Sequence, residues 1–268
     1  MKVVLFGDAC LDVFVEGDCF RMAPEAPIAV LNPTGRIETP GMAGNVIANL
    51  QSLAPSFPPW IFSVHLPEIL PVKTRYVDRK TGHHFLRVDE PDVCSPISST
   101  GLVYKAIMGG TPDAVVVSDY AKGFTPPCHI QTIGEACQRF LVPFFLDTKR
   151  ILGPWAKGAI LKINHAELQA NLSAGVRPWE HVSACIVTNG ALGMDLYGPS
   201  GEISHHVQGP VVEVRDGAGC GDTVLAALVV AYLENGFDLK GAMAWADKAG
   251  RVAVSKRGVV AVRREEVL

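Results

Sequence analysis

The chain carries the glycine-rich sequence Val214-Arg215-Asp216-Gly217-Ala218-Gly219-Cys220-Gly221-Asp222-Thr223 between a strand candidate at 211–214 and a long apolar helix candidate. Glycines let the backbone approach a ligand closely and turn several N–H groups toward one point. The positive end of the following helix favours an anion at the same place. Asp222 would repel that anion, but a base that accepts a proton from an attacking hydroxyl explains its position. The stretch therefore predicts a strand, a phosphate-binding turn and a helix.

Other catalytic and phosphate-binding motifs fit this stretch less well. A dinucleotide-binding fingerprint requires glycine or alanine where Asp222 stands, and a P-loop requires a Gly-Lys-Ser/Thr ending. The G-x-S-x-G and H-E-x-x-H motifs are absent from the sequence. The alternative without chemistry is a glycine-rich turn in which Asp222 only caps the helix.

Short apolar runs alternate with helix candidates along the chain. The runs are 3–6, 114–117, 143–146, 159–161 and 184–187, and the helix candidates lie near 42–53, 99–109, 127–140, 165–172, 221–235 and 239–254. Continuous apolar runs are typical of parallel strands that are covered on both faces. The order predicts an α/β fold with a doubly wound, mostly parallel sheet and helices on both faces.

Two segments have a different pattern, in which apolar and polar residues alternate. They span about 10–40 and 73–89. Alternation is typical of a half-exposed sheet, so these segments predict a small β lid. No linker divides the chain, and we expect one domain over residues 1–268.

A polar residue follows each of the five strand candidates. Ligands of open parallel sheets bind beyond the carboxyl ends of the strands. The sequence therefore predicts a site on the rim formed by Asp8, Asp119, Asp147, Asn164 and Asn189.

Composition narrows the class of partner and the cellular setting. The formal net charge of −3 gives no global basic field, so neither nucleic acid nor an anionic membrane surface is an expected partner. The longest apolar stretch, 224–233, is far short of the ~20 residues of a membrane span. The seven cysteines form no C-x-x-C pair, which predicts reduced thiols and no zinc framework. The first apolar run soon gives way to a polar residue, unlike a signal peptide, and together with reduced thiols this predicts a cytoplasmic protein.

Several motifs resemble those of the ribokinase-like (PfkB) carbohydrate kinases. Asp216-x-x-Gly219-x-Gly221-Asp222 resembles their C-terminal signature, and Asn164-His165-Ala166-Glu167 resembles their N-x-x-E motif. Gly7-Asp8, Asp12, Gly41 and Asn45 are similar to their N-terminal sugar-binding pattern. The runs 21–27, 118–123 and 147–149, with Gly193-Met194, most resemble the kinases of D-glycero-D-manno-heptose 7-phosphate in lipopolysaccharide synthesis. The resemblance implies ATP- and Mg²⁺-dependent transfer of the γ-phosphoryl group to O1 of that sugar.

The resemblance also implies a role for individual residues. Asp222 would be the general base, and the N–H groups of Gly219, Cys220 and Gly221 would stabilise charge on the transferred phosphoryl group. The sugar hydroxyls would be held by Asp12, Gly41 and Asn45. Because cations suit phosphate oxygens, the candidates for the sugar's distal phosphate are Arg21, Arg75, Arg87 and Lys122.

The nucleotide and its metal ion would bind on the other side of Asp222. Candidate nucleotide contacts are Lys149, Asn164, Thr188, Gly193 and Asp247. Asn164 and Glu167 would hold Mg²⁺, largely through water, because this ion keeps much of its hydration shell. An asparagine cap followed by an acidic first turn explains the same two residues without a metal.

Some positions depart from the family pattern. Met42 replaces the second glycine of a pair, Ala218 a threonine, Cys220 an alanine and Asp247 an asparagine. The segment 54–72 is short and rich in proline, and predicts a loop with one strand near 60–64. A thiol at a helix N-terminus favours the thiolate, so one hypothesis is that Cys220 is the most reactive cysteine. The alternative is an inert small residue that fills the space of alanine, because a buried thiol reacts slowly.

Two other functions agree with the same residues. One is a PfkB-type kinase of another sugar or of a nucleoside. The other is a non-catalytic homologue that binds a sugar phosphate or a partner chain, in line with Met42 and the short 54–72 segment. The resemblance also implies a homodimer through the lid.

Overall fold

The computed structural model describes residues 1–55 and 60–268, which form two β-sheets and six α-helices. The strands are β1 (Lys2–Gly7), β2 (Ala9–Met22), β3 (Ala29–Met42), β4 (Ile61–His65), β5 (Val72–Asp78), β6 (His84–Glu90), β7 (Ala114–Asp119), β8 (Phe144–Thr148), β9 (Ile160–Asn164), β10 (Ala184–Thr188), β11 (Met194–Tyr197) and β12 (Ile203–Val207). The helices are α1 (Ala43–Leu53), α2 (Thr100–Met108), α3 (Pro127–Phe140), α4 (His165–Ser173), α5 (Cys220–Glu234) and α6 (Leu239–Val254).

The larger sheet has eight strands in the order β12-β11-β10-β9-β8-β7-β1-β4. The strands from β10 to β4 are parallel, and β11 and β12 add an antiparallel edge. The five predicted strands and the six predicted helices are all present. The α/β prediction, with a doubly wound and mostly parallel sheet, is confirmed.

Helices cover both faces of this sheet, as the continuous apolar strands require. Val3 and Leu5 of β1 pack in one core with α1, α5 and α6, while Val4 and Phe6 of the same strand pack in a second core with α2, α3 and α4. Helix α5 lies between α1 and α6, so its apolar residues are buried all round. None of the described helices is long and apolar enough to cross a membrane.

The smaller sheet has four strands in the order β3-β2-β5-β6, and we call these strands the lid. Strand β1 continues through Asp8 into β2, and β3 leads directly into α1. The lid therefore begins at the carboxyl end of β1, on the rim of the larger sheet. In its register Asp12 of β2 lies beside Lys73 of β5, and Lys73 lies beside Asp89 of β6.

The strand predicted at 211–214 is not formed. Val211 and Val214 are exposed, because β12 already occupies that edge of the sheet. The backbone just after this segment bonds to α6, with the N–H groups of Arg215 and Asp216 donating to the carbonyl of Val254. The strand expected near 60–64 is present as β4, and residues 56–59 of the predicted loop lie outside the described residues.

Candidate active site

The start of α5 places Asp222 in the interior, at the rim of the large sheet. Gly219 precedes the helix with φ 75°, a conformation that favours glycine. A Cβ atom on Gly219 would lie 2.5 Å from Nδ2 of Asn45, so a larger residue has no room. The first helical bond runs from the N–H of Thr223 to the carbonyl of Gly219. The N–H groups of Gly221 and Asp222 come before it, at the positive end of the helix.

Both carboxylate oxygens of Asp222 accept hydrogen bonds. The Tyr120 hydroxyl donates to Oδ1 over 2.7 Å, and Nδ2 of Asn45 donates to Oδ2 over 3.1 Å. Burial raises the pKa of Asp222 from 3.8 to about 6, against these two hydrogen bonds, which lower it. Such a carboxylate is ionised at neutral pH and can take up a proton.

A network of buried side-chain amides holds Asp222 in place through hydrogen bonds. Asn45 also donates to the carbonyl of Gly219 over 3.1 Å, while Asn49 donates to the Asn45 side-chain oxygen over 2.9 Å. Oδ1 of Asn49 accepts from the hydroxyl of Thr223 and from the N–H of Val262. Asn45, predicted as a sugar ligand, thus has its donors directed to Asp222 and Gly219. Asn49 was not predicted, and its position one turn after Asn45 is the only signal for it.

Two rim carboxylates fix the loop that carries Tyr120. Asp8 accepts the backbone N–H groups of Tyr120, Lys122 and Phe124 at 2.8–3.0 Å. Asp119 accepts from the Thr148 hydroxyl and from Arg150. The polar residues that end these strands therefore brace a loop. Tyr120 itself was not predicted as a site residue, although it lies inside the run 118–123 that carries the resemblance.

A second charged cluster lies at the ends of β8 and β9. Asp147 pairs with Lys162, which also donates to the carbonyl of Gly221 over 3.2 Å, and with Lys149 over 3.4 Å. Burial alone would raise the pKa of Asp147, but the two ammonium groups outweigh it and hold this pKa below 3.8. Lys149 also pairs with Glu167 over 2.5 Å. Lys162 was missed because it lies inside a strand, where a buried lysine is unexpected.

Asn164 and Glu167 form the start of α4 and bind each other. Oδ1 of Asn164 accepts the N–H of Glu167 over 2.9 Å, and Oε2 of Glu167 accepts the N–H of Asn164 over 2.8 Å. Among residues 1–55 and 60–268, no group of three acidic, His or Cys residues forms a metal cage. The engaged carboxylate fits a metal ion held through water and ligand phosphates better than one held directly.

A cavity of about 480 Å³ lies beside α5, and we call it the nucleotide cavity after the nucleotide contacts that the sequence predicts in its lining. Its lining includes the predicted residues Lys149, Asn164, Thr188, Gly193, Gly219, Cys220, Gly221 and Asp247. These residues come from five separate parts of the chain, and the fold brings them together. A second cavity, of about 930 Å³, lies between the lid and the loops at 213–217 and 257–260. The two cavities share Val214 and Gly217.

Asp247 is engaged within the nucleotide cavity wall. Arg251 donates to both of its oxygens, at 2.7 and 3.1 Å, and also to the carbonyl of Pro210 over 2.6 Å. The N–H of Gly209 donates to Asp247 as well. The carboxylate, a predicted nucleotide contact, therefore ties the 209–210 loop to α6. Arg251 was not predicted, although its spacing of four residues from Asp247 fits a helical ion pair.

The surroundings of Cys220 favour an inert thiol over a reactive one. Its thiol donates to the carbonyl of Gly250 over 3.6 Å, and burial raises its pKa above 9.0 in spite of nearby Lys162. Desolvation of the thiolate is thus the largest effect on this pKa. The N–H of Cys220 donates to the carbonyl of Gly217 over 3.3 Å, which leaves that of Gly221 better placed for an anion.

The predicted sugar-side residues lie on or beside the lid, and most of their charges are paired. Oδ1 of Asp12 accepts from Arg75, and a Cβ on Gly41 would overlap Oδ2 of Asp12. Two of the three remaining predicted cations also pair with a carboxylate: Arg87 pairs with Asp89 over 2.7 Å, and Lys122 pairs with Asp92 over 2.5 Å. The third, Arg21, is exposed on the outer part of β2.

Met42 joins the lid to α1 in a conformation that side chains rarely adopt. Its φ is 55° and its ψ is −129°. Its side chain is nevertheless buried. The backbone at this position therefore suits the glycine that the family pattern has there.

Comparison with known proteins shows similarity over the whole chain. The description "pfkB family carbohydrate kinase" matches residues 131–265. Bifunctional protein HldE of Hyphomonas neptunium is 30% identical over 99% of this chain, and that of Rhodopseudomonas palustris is 31% identical over 99%. In both cases the chain spans 62% of the relative's length.

Solved structures with this fold are also kinases. Phosphofructokinase-2 of Escherichia coli, crystallised with potassium, matches 99% of this chain and 96% of its own, with a TM-score of 0.74 at 14% identity. Ribokinase of Thermotoga maritima matches 99% of this chain and 97% of its own, with a TM-score of 0.69 at 16% identity. The family match over half of the chain and the fold agree, and the chain belongs to the pfkB family of carbohydrate kinases.

Proposed function

We propose that this sugar kinase transfers the γ-phosphoryl group of ATP to O1 of D-glycero-D-manno-heptose 7-phosphate. The observation that carries the catalytic part is the position of Asp222. It is buried at the start of α5 beside the nucleotide cavity, with both oxygens held by Tyr120 and Asn45. A carboxylate with a pKa of about 6 is a suitable proton acceptor at neutral pH.

The reaction is an in-line displacement at phosphorus. The acceptor hydroxyl gives its proton to Asp222, and its oxygen forms a bond to the γ-phosphorus. The bond from that phosphorus to the β,γ-bridging oxygen breaks, and ADP leaves with the electron pair. The N–H of Gly221 and the positive end of α5 stabilise the charge on the transferred group.

ATP and Mg²⁺ fit the residues on the nucleotide side. Thr188, Gly193 and the α6 residues line a cavity for the nucleoside, and Lys149 and Lys162 line its phosphate end. Asn164 and Glu167 would hold Mg²⁺ through water, and the ion would neutralise phosphate charge during transfer. Lys149 bridges Asp147 and Glu167, so it links the phosphate end to the proposed metal site.

The heptose assignment rests on the sequence resemblance. The runs at 21–27, 118–123 and 147–149 resemble heptose 7-phosphate kinases, and the relatives named HldE match along the whole chain. Tyr120, which positions Asp222, lies in one of these runs. Reduced cysteines and ATP as donor fit a cytoplasmic enzyme, and the homodimer through the lid stays a prediction.

The test is a panel of acceptors with MgATP. We expect ADP release to be faster with heptose 7-phosphate than with ribose, fructose, fructose 6-phosphate or adenosine, and ³¹P NMR of the product to show a new anomeric phosphate. A better acceptor elsewhere in the panel would identify a different PfkB-type kinase. No turnover with any acceptor, while ligands still bind, would identify a non-catalytic homologue.

A matched pair of variants separates a base from a helix cap. Asp238 also stands at a helix start, where its carboxylate accepts the N–H groups of Lys240 and Gly241. Asp238→Asn keeps a good cap and should leave turnover unchanged. Asp222→Asn should abolish most turnover, which also shows that no contaminating kinase causes the activity.

A further inference from the structure

Lys73 of β5 is a buried cation that forms no ion pair with any residue in the described part of the chain. Only 8% of the residue is exposed. Its register neighbours Asp12 and Asp89 are carboxylates, but Asp12 pairs with Arg75 and Asp89 pairs with Arg87. No described residue forms an ion pair or a hydrogen bond with its ammonium group. Burying a charge is costly unless it is paired, so folding alone gives no reason for this lysine.

The ammonium lies between the lid and the proposed base. Its Nζ is 5.7 Å from the centre of the Tyr120 ring, and the hydroxyl of that ring donates to Asp222. On the nucleotide side, Nζ of Lys149 is 5.1 Å from the same ring centre. The Cys10 thiol lies within electrostatic range of Asp12, Lys73 and Asp222. Burial and the two carboxylates raise the pKa of this thiol to about 12, and the charge of Lys73 lowers it.

The other cations near this place already have partners. Arg75, Arg87 and Lys122 each pair with a carboxylate. Lys149 pairs with Asp147 and Glu167. The charge of Lys73 is therefore available to an incoming group. A phosphoryl group suits it, because a dianion balances a desolvated ammonium and its oxygens accept all three N–H donors.

We propose that Lys73 binds a phosphoryl oxygen of a bound substrate. The inference rests on the proposed function, in which both substrates carry phosphate. The source that its position on the lid favours is the phosphate of the acceptor sugar, since Asp12 stands beside it in the register. The second source is the γ-phosphoryl group during transfer, between Lys73 and Lys149.

The test compares Lys73→Met with Lys80→Met. Lys80 is exposed at the end of the lid, and its Nζ is 5.8 Å from the centre of the Phe20 ring, so the same change is made at a similar contact away from the site. Because Lys73 forms no ion pair or hydrogen bond with a described residue, and its contact with the Tyr120 ring is worth less than the cost of burying its charge, we expect Lys73→Met without ligand to be at least as thermally stable as the parent. A lower melting temperature would show a structural role and overturn the proposal.

Calorimetry then identifies the phosphate. The ligands are heptose 7-phosphate, fructose 6-phosphate, each sugar without its phosphate, and the ATP analogue AMP-PNP with Mg²⁺. If Lys73 binds the acceptor's phosphate, Lys73→Met raises the dissociation constant of the sugar phosphate roughly 10- to 100-fold and leaves the sugar alone and AMP-PNP unchanged. If it binds the γ-phosphoryl group, AMP-PNP affinity or kcat falls by a similar factor with every acceptor.

Unchanged constants for all ligands and an unchanged kcat in Lys73→Met would overturn the proposal. A wrong substrate assignment would give a different result, which is seen in the parent enzyme. If the parent enzyme does not bind heptose 7-phosphate but binds fructose 6-phosphate, the heptose assignment is wrong, and the Lys73 comparison is made with the sugar phosphate that binds. Lys80→Met should match the parent in every measurement.

Discussion

The hydroxyl of Tyr120 donates to Oδ1 of Asp222 over 2.7 Å, although the two residues are 102 positions apart in the chain. Asp8 holds the backbone of Tyr120, and α5 holds Asp222. The contact therefore joins the carboxyl ends of β1 and β7 to the start of α5. Because Asp222 is buried, this one hydrogen bond affects both where the carboxylate points and how readily it takes a proton.

Tyr120→Phe should move the acidic limb of the pH–rate profile to higher pH. The hydroxyl stabilises the ionised carboxylate, so its loss raises the pKa of Asp222 above about 6. Since the base acts only when ionised, kcat/KM would then fall about one pH unit earlier as pH decreases. Asp147, which raises this pKa, and Lys162, which lowers it, stay in place. The measurement is kcat/KM from pH 5 to 9.

Tyr104→Phe is the control for this change, because Tyr104 is partly exposed on α2, outside the site. Its profile should match that of the parent enzyme. A loss of rate in Tyr120→Phe that is equal at every pH would mean that the hydroxyl only positions Asp222. An unchanged profile and an unchanged rate would show that the contact has no part in catalysis.

Asp222→Asn should lower kcat by roughly 10²–10⁴ and stabilise the unliganded protein at neutral pH. Its folded pKa of about 6 lies above 3.8, so its contribution to stability is full below pH 3.8 and is lost as pH rises through 6. Removing the charge should restore on the order of 3 kcal/mol above pH 6. The amide can still accept from Asn45 and donate to the Tyr120 oxygen. Urea unfolding at pH 4 and 8 measures this, and an equal difference at both pH values would contradict it.

The sequence pattern predicts the frame of the site well and its hydrogen-bonding partners poorly. Glycines, strand ends and the N-x-x-E motif are local features, so they indicate the turn at Gly219, the start of α5 and the residues that line the nucleotide cavity. Tyr120 and Asn49 act on α5 from other parts of the chain. Such contacts depend on which strands become neighbours, and no short motif contains that information.

Charge pairing was the other aspect that the sequence did not reveal. From the sequence, Arg75, Arg87 and Lys122 are equally good candidates for binding a phosphate. In the structure each of these three pairs with a carboxylate, whereas the two carboxylates beside Lys73 in the register, Asp12 and Asp89, pair with Arg75 and Arg87. The strand prediction at 211–214 was wrong for a related reason. Its apolar pattern fits a strand, but the edge of the sheet was already occupied by β12.

Replacing Met42 should reverse the usual order of alanine and glycine. Met42→Ala and Met42→Gly both remove a buried side chain, so both should destabilise the protein. Only glycine relieves the strain at φ 55°, which makes Met42→Gly the more stable of the two by about 1 kcal/mol or more. Ala54, with φ −63°, is the control, and Ala54→Gly should be neutral or destabilising. Denaturant unfolding gives both values, and a more stable Met42→Ala would refute the strain argument.

Arg251→Lys should weaken ATP binding without slowing the chemical step. Arg251 holds Asp247 with two hydrogen bonds and the carbonyl of Pro210 with a third, so it fixes the loop that forms one wall of the nucleotide cavity. Lysine keeps the charge but cannot make the forked contact. Loss of one or two charge-assisted bonds should raise the KM for ATP about tenfold, while kcat and the KM for the sugar stay within twofold. Arg139→Lys, on the surface of α3, is the control. A fall in kcat with an unchanged KM for ATP would instead place Arg251 in the transfer step.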